Sequence, residues 1–482
     1  MKKSIFFGTL ILVVLLSLVG EPGFAARAMF DPNTAASLPN PASSPWFISW
    51  VDRSTSTDVG AYPSVAYSPI DGLPYLSYYD AVNGDLVLAS PVPNGGSNCG
   101  VGGNWWCRAV DGSGVNGSSL DNVGTYSSAD FWKGLEGSTP VWKFGIAYHD
   151  NTTHALKYAV FTQYPSTWTW DFQTILSTSL AGSDVGLYNS LKFASDGRPK
   201  IAFYQTSALT GSLNLAVTVS GSGNCGEGTD LGMWHCDMVD SGAGVGQFAS
   251  LSIDYNQNPS MAYYDGANGN LKYAFYYGFG GGNCGDSNTY RCETVDDSIA
   301  DVGRSASLVA PRSMGGPSQI AYYDRTNGTL KYAFETLEHS AANCVGRWWC
   351  GNVDTIGAGL AQAGISMAVD KYNSPVIAYE DASELMGPSK LKIARNYVSL
   401  GLSTGNCGDV FPEMMFPSWQ CSILDNATYG SGNIDLAGYT ALAFSASGLA
   451  TIAYLETDNY YATNSLKVAT QLFQTFLPLL KR

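Results

Sequence analysis

The chain predicts an all-β fold of seven repeated four-stranded antiparallel units. Three observations carry this expectation. Short apolar or alternating runs bounded by Gly, Pro, Asn or Asp recur at a spacing near sixty residues. Asn-Gly pairs, as in TNG before LKYA, mark tight hairpins between the second and third runs. The fourth run carries an aromatic residue, one residue, usually a cysteine, two more and then an aliphatic residue, as in Trp105, Cys107 and Val110.

The elements follow in chain order. MKKS precedes the apolar run IFFGTLILVVLLSLVG and small-residue cleavage sites at Ala25 or Ala28, so residues 1–28 read as a secretory signal peptide. Residues 29–44, rich in Pro, Ala, Ser and Asn, read as a flexible leader. The repeating region spans 45–470, its units starting near Gly60, Gly124, Gly186, Gly246, Gly303, Gly364 and Gly438. Unit seven runs out after three strands. PWFISWVD matches the missing fourth, with Trp46, Ile48, Val51 and Asp52 on the signature positions, so residues 46–52 are expected to complete it. Residues 471–482 form a tail ending in Lys481 and Arg482, read as packing beneath unit seven or as a sorting signal.

A ring in which one terminus completes the other's unit leaves no open edge. From residue 46 to about 470 the chain thus resembles a seven-bladed β-propeller. The resemblance is to the architecture alone. The WD dipeptide, the kelch double glycine and the sialidase SxDxGxTW box are absent, so no catalytic residues carry over.

Export implies an oxidising compartment, where ten cysteines are expected to pair. Five units hold two cysteines and two hold none, which predicts bonds within units: Cys99–Cys107, Cys225–Cys236, Cys284–Cys292, Cys344–Cys350 and Cys407–Cys421. Pairs distributed around a ring do not gather the four ligands of a zinc knuckle.

Two sets of acids recur. Asp80, Asp150, Asp265, Asp324, Asp381 and Glu456 end second strands, and five of them face Lys157, Lys272, Lys331, Lys392 or Lys467, suggesting ion pairs within hairpins. Asp52, Asp111, Asp240, Asp296, Asp354 and Asp425 close fourth strands and suggest local turn bonds, with calcium left open as a ligand. Four histidines show no metal-ligand spacing, and GLSTG at 401–405 lies in a loop, outside the strand–turn–helix setting of a hydrolase serine. Beyond that open calcium, no cofactor is expected.

A formal charge of −15 argues against nucleic acid and anionic membrane as partners, and no later apolar run is long enough to span a bilayer. The leading expectation is a secreted or cell-surface, monomeric, non-catalytic module that recognises glycan or a protein surface through the loops that break the repeat: 205–213, 381–390, 402–420 and 456–465. Its candidate ligand contacts are the unrepeated aromatics Trp106, Trp349, Tyr460 and Tyr461, with Arg304 as a carboxylate holder. The alternatives are a glycan-active hydrolase or lyase with its site in the axial funnel, and a structural envelope protein. Two or more unpaired carboxylates among tyrosines or arginines in that funnel would mark the enzyme.

Overall fold

A computed structural model describes residues 45–472, apart from 54–57, 116–117, 165–167, 208–209, 337–341, 385–386, 397–403, 411–416 and 427–433. The signal peptide, the leader, most of the tail and the serine of GLSTG lie outside the described residues. The remainder forms seven small antiparallel sheets, a seven-bladed β-propeller. Blade one shows the plan: Val59–Tyr67, Pro74–Asp80, Asp85–Pro91 and Trp105–Asp111, hydrogen-bonded in that order. Blade six adds a fifth, short outer strand, Cys407–Val410, beyond Pro417–Asn426.

The N-terminal strand Trp46–Asp52 pairs antiparallel with Thr463–Gln471, the third strand of blade seven, with Trp46 opposite Gln471 and Ile48 opposite Ala469. Trp46 and Ile48 pack on the cluster built by Leu436, Leu442 and Ile452, while Val51 is fully buried on the side of blade one. The ring is therefore closed by a strand from the other end of the chain.

Blades are joined chiefly through side chains of regular period. Five fourth-strand aromatics are buried and Trp46 and Trp170 partly so, with Trp234, Trp348 and Trp419 edge-on to Tyr158, Tyr273 and Tyr332 of the preceding blade at 5.1–5.5 Å. Nearer the axis, Ser64, Ser128, Ser190, Ser250, Ser307 and Ser366 each accept the backbone N–H of the next blade's first strand at 2.9–3.0 Å. At the junction from blade seven to blade one the serine position is Ala441. There the Asp58–Asn464 hydrogen bond and the closing strand make the link.

Hairpin ion pairs form in blades six and seven, Lys392–Asp381 at 3.2 Å and Lys467–Glu456 at 3.1 Å. Fourth-strand acids make the expected turn bonds, as Asp111 does with the N–H of Gly112 at 2.9 Å, but both sets do more. The second-strand acids fold the hairpin turns: Asp80 accepts the N–H of Val82 and Asp150 that of Thr152, both at 2.9 Å. The fourth-strand acids reach the next blade. Asp296 accepts the hydroxyl of Tyr322 at 2.7 Å and the ammonium of Lys331 at 2.5 Å. The same Tyr–Asp–Lys triad joins Tyr148, Asp111 and Lys157, and recurs at Asp240, Asp354 and Asp425. The lysines thus bridge blades more closely than they bridge hairpins: Lys157 lies 2.6 Å from Asp111 and 3.8 Å from Asp150. Burial pushes the carboxyls of Asp111 and Asp296 up, but the lysine charge and hydrogen bonds outweigh it and hold both below the ordinary range. Asp52 reaches blade one, which has Val87 in the lysine position, so it has no such counterweight, and burial leaves it raised.

Between blades two and three the set is replaced together by Leu176, Phe203 and Asn214. This makes a test. Asp296→Ala strands a buried ammonium and phenol and should cost about 3–5 kcal/mol. Replacing Asp296, Tyr322 and Lys331 by Leu, Phe and Asn should cost far less, measured by denaturant unfolding; a triple variant weaker than the single one contradicts the account.

All five disulfides form within blades, as expected, with Cα–Cα distances of 5.8–6.0 Å. The asparagine before each first cysteine explains the repeated NC dipeptide. Its amide closes a two-way bridge to the backbone of the second cysteine, as Asn343 does with the N–H of Cys350 at 2.7 Å and its carbonyl at 2.8 Å.

Candidate functional site

The blades converge on an axis where the first strands break their own pairing. After the starting glycine (Gly60, φ 98°) each of the first five blades bulges, and Tyr62, Tyr126, Tyr188, Phe248 and Ser305 all take left-handed backbone, φ 49–55°. The glycine is required because a Cβ at Gly60 would meet the backbone of Leu466 at 2.8 Å. The bulge turns the following aromatic towards the axis. Non-glycine residues at positive φ in the same place of successive blades are a strain that this architecture holds at its centre.

Blades six and seven depart from the expected phase. Strand register puts Leu436 and Ala437 (φ 69°) of blade seven in the places of Val59 and Gly60, so Tyr439, two residues on, is the equivalent of Tyr62. In blade six Ser366 matches Ser64, and Gly364 stands where the other blades carry the axial side chain. A Cβ at Gly364 would lie 1.8 Å from the carbonyl oxygen of Ala437, so only glycine fits.

The outcome is a broken aromatic ring. Tyr439, Tyr62, Tyr126, Tyr188 and Phe248 touch in series with centroids 4.5–4.9 Å apart. The phenols of Tyr188, Tyr126, Tyr62 and Tyr439 interact electrostatically along the series, with Gln362 beside Tyr439. Burial and neighbouring phenols push Tyr126 and Tyr439 upward, so these hydroxyls stay protonated and act as hydrogen-bonding groups. Ser305 and Gly364 leave the gap. The axial cavity of about 240 Å³ is lined by the aromatics with Ser305, Gln362 and Gly364.

One carboxyl stands behind the gap. In blades one, four and five the residue before the second-strand acid reaches towards the start of the next blade: Tyr79 to Asn122, Tyr264 to Asp301, Tyr323 to the carbonyl of Gly357. In blade six this residue is Glu380, 8% exposed, with its Oε2 3.5 Å from the N–H of Gly364 and a hydrogen bond to Ser389. Burial, reinforced by Asp435 and Asp381 and only partly offset by these bonds, pushes its carboxyl up to about 7. A carboxyl that changes charge near neutral pH, separated from a cavity by one glycine, has the properties of an acid–base group.

On the same face, His149 of blade two, 2% exposed, lies 6.2 Å from the ring of Tyr126. Its Nε2 is 2.7 Å from Asp184, which His154 approaches at 3.4 Å. Burial raises the Asp184 carboxyl, but the hydrogen bond and charge of His149 outweigh it, with a further contribution from His154, and hold it low. Arg304 also reaches this face. Its guanidinium is occupied by Asp301 at 3.1 Å, the hydroxyl of Tyr264 and the carbonyl of Ala361, so Arg304 orders the rim.

The other expected ligand contacts are dispersed. Trp349 is 5% exposed and packs on Phe334 at 5.4 Å, so its face is core; the tryptophan pair had marked it only by adjacency to the staple. Trp106, 47% exposed, stacks under Arg108 on the outer strand of blade one. Tyr460 and Tyr461 lie exposed and edge-on in the hairpin turn of blade seven. The axial aromatics, Glu380 and the His149–His154–Asp184 group were not singled out from sequence. The first had a readable signal, the recurring VGxYxS of VGAYPS, VGTYSS and VGLYNS.

No protein-family model matches the chain, and no curated protein is similar to it. Among solved structures, an α-L-arabinofuranosidase of Fusarium graminearum is 12% identical, covering 69% of this chain and 92% of its own, with a TM-score of 0.42. An α-L-arabinanase of Penicillium chrysogenum is 14% identical over 72% and 98%, TM-score 0.42. The polysaccharide lyase Uly1 is 9% identical over 85% and 90%, TM-score 0.41. Likenesses of this size bear on neither substrate nor site.

Proposed function

We propose that the protein is a secreted glycan-active enzyme, a hydrolase or lyase, that takes a sugar chain end at the axial mouth. The observation that carries this reading is the gap in the aromatic ring at Ser305 and Gly364, with the carboxyl of Glu380 behind it. Aromatic faces carrying protonated hydroxyls suit sugars, whose rings offer apolar faces and hydroxyl edges together. A surface that only recognises glycan has no use for a carboxyl poised near neutral pH, which sets the enzyme ahead of the non-catalytic module. Export is supported by five disulfides, no free cysteine, and no helix among the described residues that is long and apolar enough to cross a membrane.

Recognition without turnover is favoured by a different observation. The carboxylates around the mouth are engaged, Asp301 by Arg304 and Tyr264, Asp184 by His149, and Asp435 by the N–H of Ser389, so a free facing pair does not stand in the funnel among the described residues. Incubating the protein with a panel of oligosaccharides separates the two. We expect release of reducing or unsaturated ends, reduced on the order of 100-fold in Glu380→Gln. Binding with no release leaves recognition alone, and neither binding nor release overturns both.

A further inference from the structure

We propose that His149, His154 and Asp184 form a site for one divalent transition metal ion, zinc by its donor set, on the wall of the axial mouth. Their ligand atoms all lie within 4.8 Å of one another. Two imidazole nitrogens and a carboxylate oxygen are the donors of an open zinc site, with bonds of about 2.0–2.2 Å and a fourth position left to solvent. The half-exposed side chain of His154 leaves that position accessible. Calcium, which takes oxygen ligands, does not fit this set. The other close group of this kind, Asp296 with Cys344 and Cys350, carries nothing because both sulfurs are bonded to each other.

Two further observations point the same way. His154 has φ 53° at the fourth position of its hairpin turn, where the matching turns place Gly84, Gly269 and Gly328 at φ 66–73°. A left-handed backbone is glycine's place, and blade two, like blade seven with Ala462 at φ 53°, forgoes the residue that costs least; in blade two the residue is a histidine. The buried His149 is also held from behind. Its Nδ1 lies 3.1 Å from Oδ1 of Asn151, whose amide donates to Asn122 at 3.1 Å and so turns its oxygen to the ring. The hydroxyl of Thr125 is a second neighbour of Nδ1 at 3.1 Å, and the ring is held with Nε2 facing Asp184 at 2.7 Å. Metal-bound histidines are oriented by such an outer acceptor.

The site stands independently of the glycan reading, because its test needs no substrate. After chelator treatment the protein is titrated with zinc by calorimetry and with cobalt by visible absorption. One tight equivalent of zinc and the absorption of tetrahedral cobalt are expected. His154→Gly restores the sister turn, so it should melt no lower than the parent while weakening zinc at least about tenfold. Asp184→Asn should abolish the cobalt spectrum, and His235→Ala should leave both signals unchanged. Absence of saturable zinc binding in the parent protein, or equal affinity in folded His154→Gly, overturns the proposal.

Discussion

A chain beginning at residue 54 should aggregate or melt far below one beginning at residue 45, which should match the full mature chain. The closing strand supplies the fully buried Val51 and the partly buried Trp46, Ile48 and Trp50. It also brings Asp52 to the hydroxyl of Tyr78 and Trp50 to Glu456. At about 1.5–3 kcal/mol for each large apolar side chain buried, the loss is roughly 5–10 kcal/mol as an upper figure. That is comparable to the whole stability of an ordinary domain. Removing the strand also bares the N–H and C=O groups of Thr463–Gln471 as an open edge next to blade one. Light scattering and thermal unfolding of the two truncations decide it. Monomers that melt alike would mean that the ring does not depend on its N-terminal strand.

The second large effect is at Glu380. Its folded carboxyl lies at about 7 against an ordinary value of 4.5, so this group's contribution is fully present below the unfolded value and is lost as pH rises through the folded one. By pH 8 the wild type has lost about 3 kcal/mol at this residue. Glu380→Gln keeps the shape and removes the titration. It should match the wild type in acid and exceed it at pH 8 by an amount of that order, while losing activity at the axial mouth. Denaturant unfolding at pH 4 and pH 8 measures the difference. A variant weaker than wild type at pH 8 would show that the carboxylate is satisfied there and would remove it as an acid–base candidate. The interblade acids act in the opposite sense. Asp111 and Asp296 are held low, so their contribution is present above pH about 4 and is lost as pH falls through their folded values.

Much of this molecule can be read along the chain because a repeated blade writes each local requirement several times. The four-strand period, the cysteine staples and the strand ahead of Gly60 that completes blade seven all follow from near-copies compared with one another. What pairs across blades is invisible in that comparison. Asp296 and Asp324 look alike as strand-end acids, and only the packing of blade five on blade four gives Lys331 to the first and the turn to the second. The functional candidates are of the same kind. Gly364 and Gly438 look like two more starting glycines until strand register moves one to the axis and leaves Ala437 in the place of the other. Glu380, next to Asp381, is one acid among many until blade closure buries it, and Asp184 is thirty-five residues from His149 until blade three docks on blade two. Local periodicity determines the blade, since strand, turn and staple are satisfied within sixty residues. The axial chemistry was decided by closing the ring, because desolvation and proximity arise only where side chains from different blades meet.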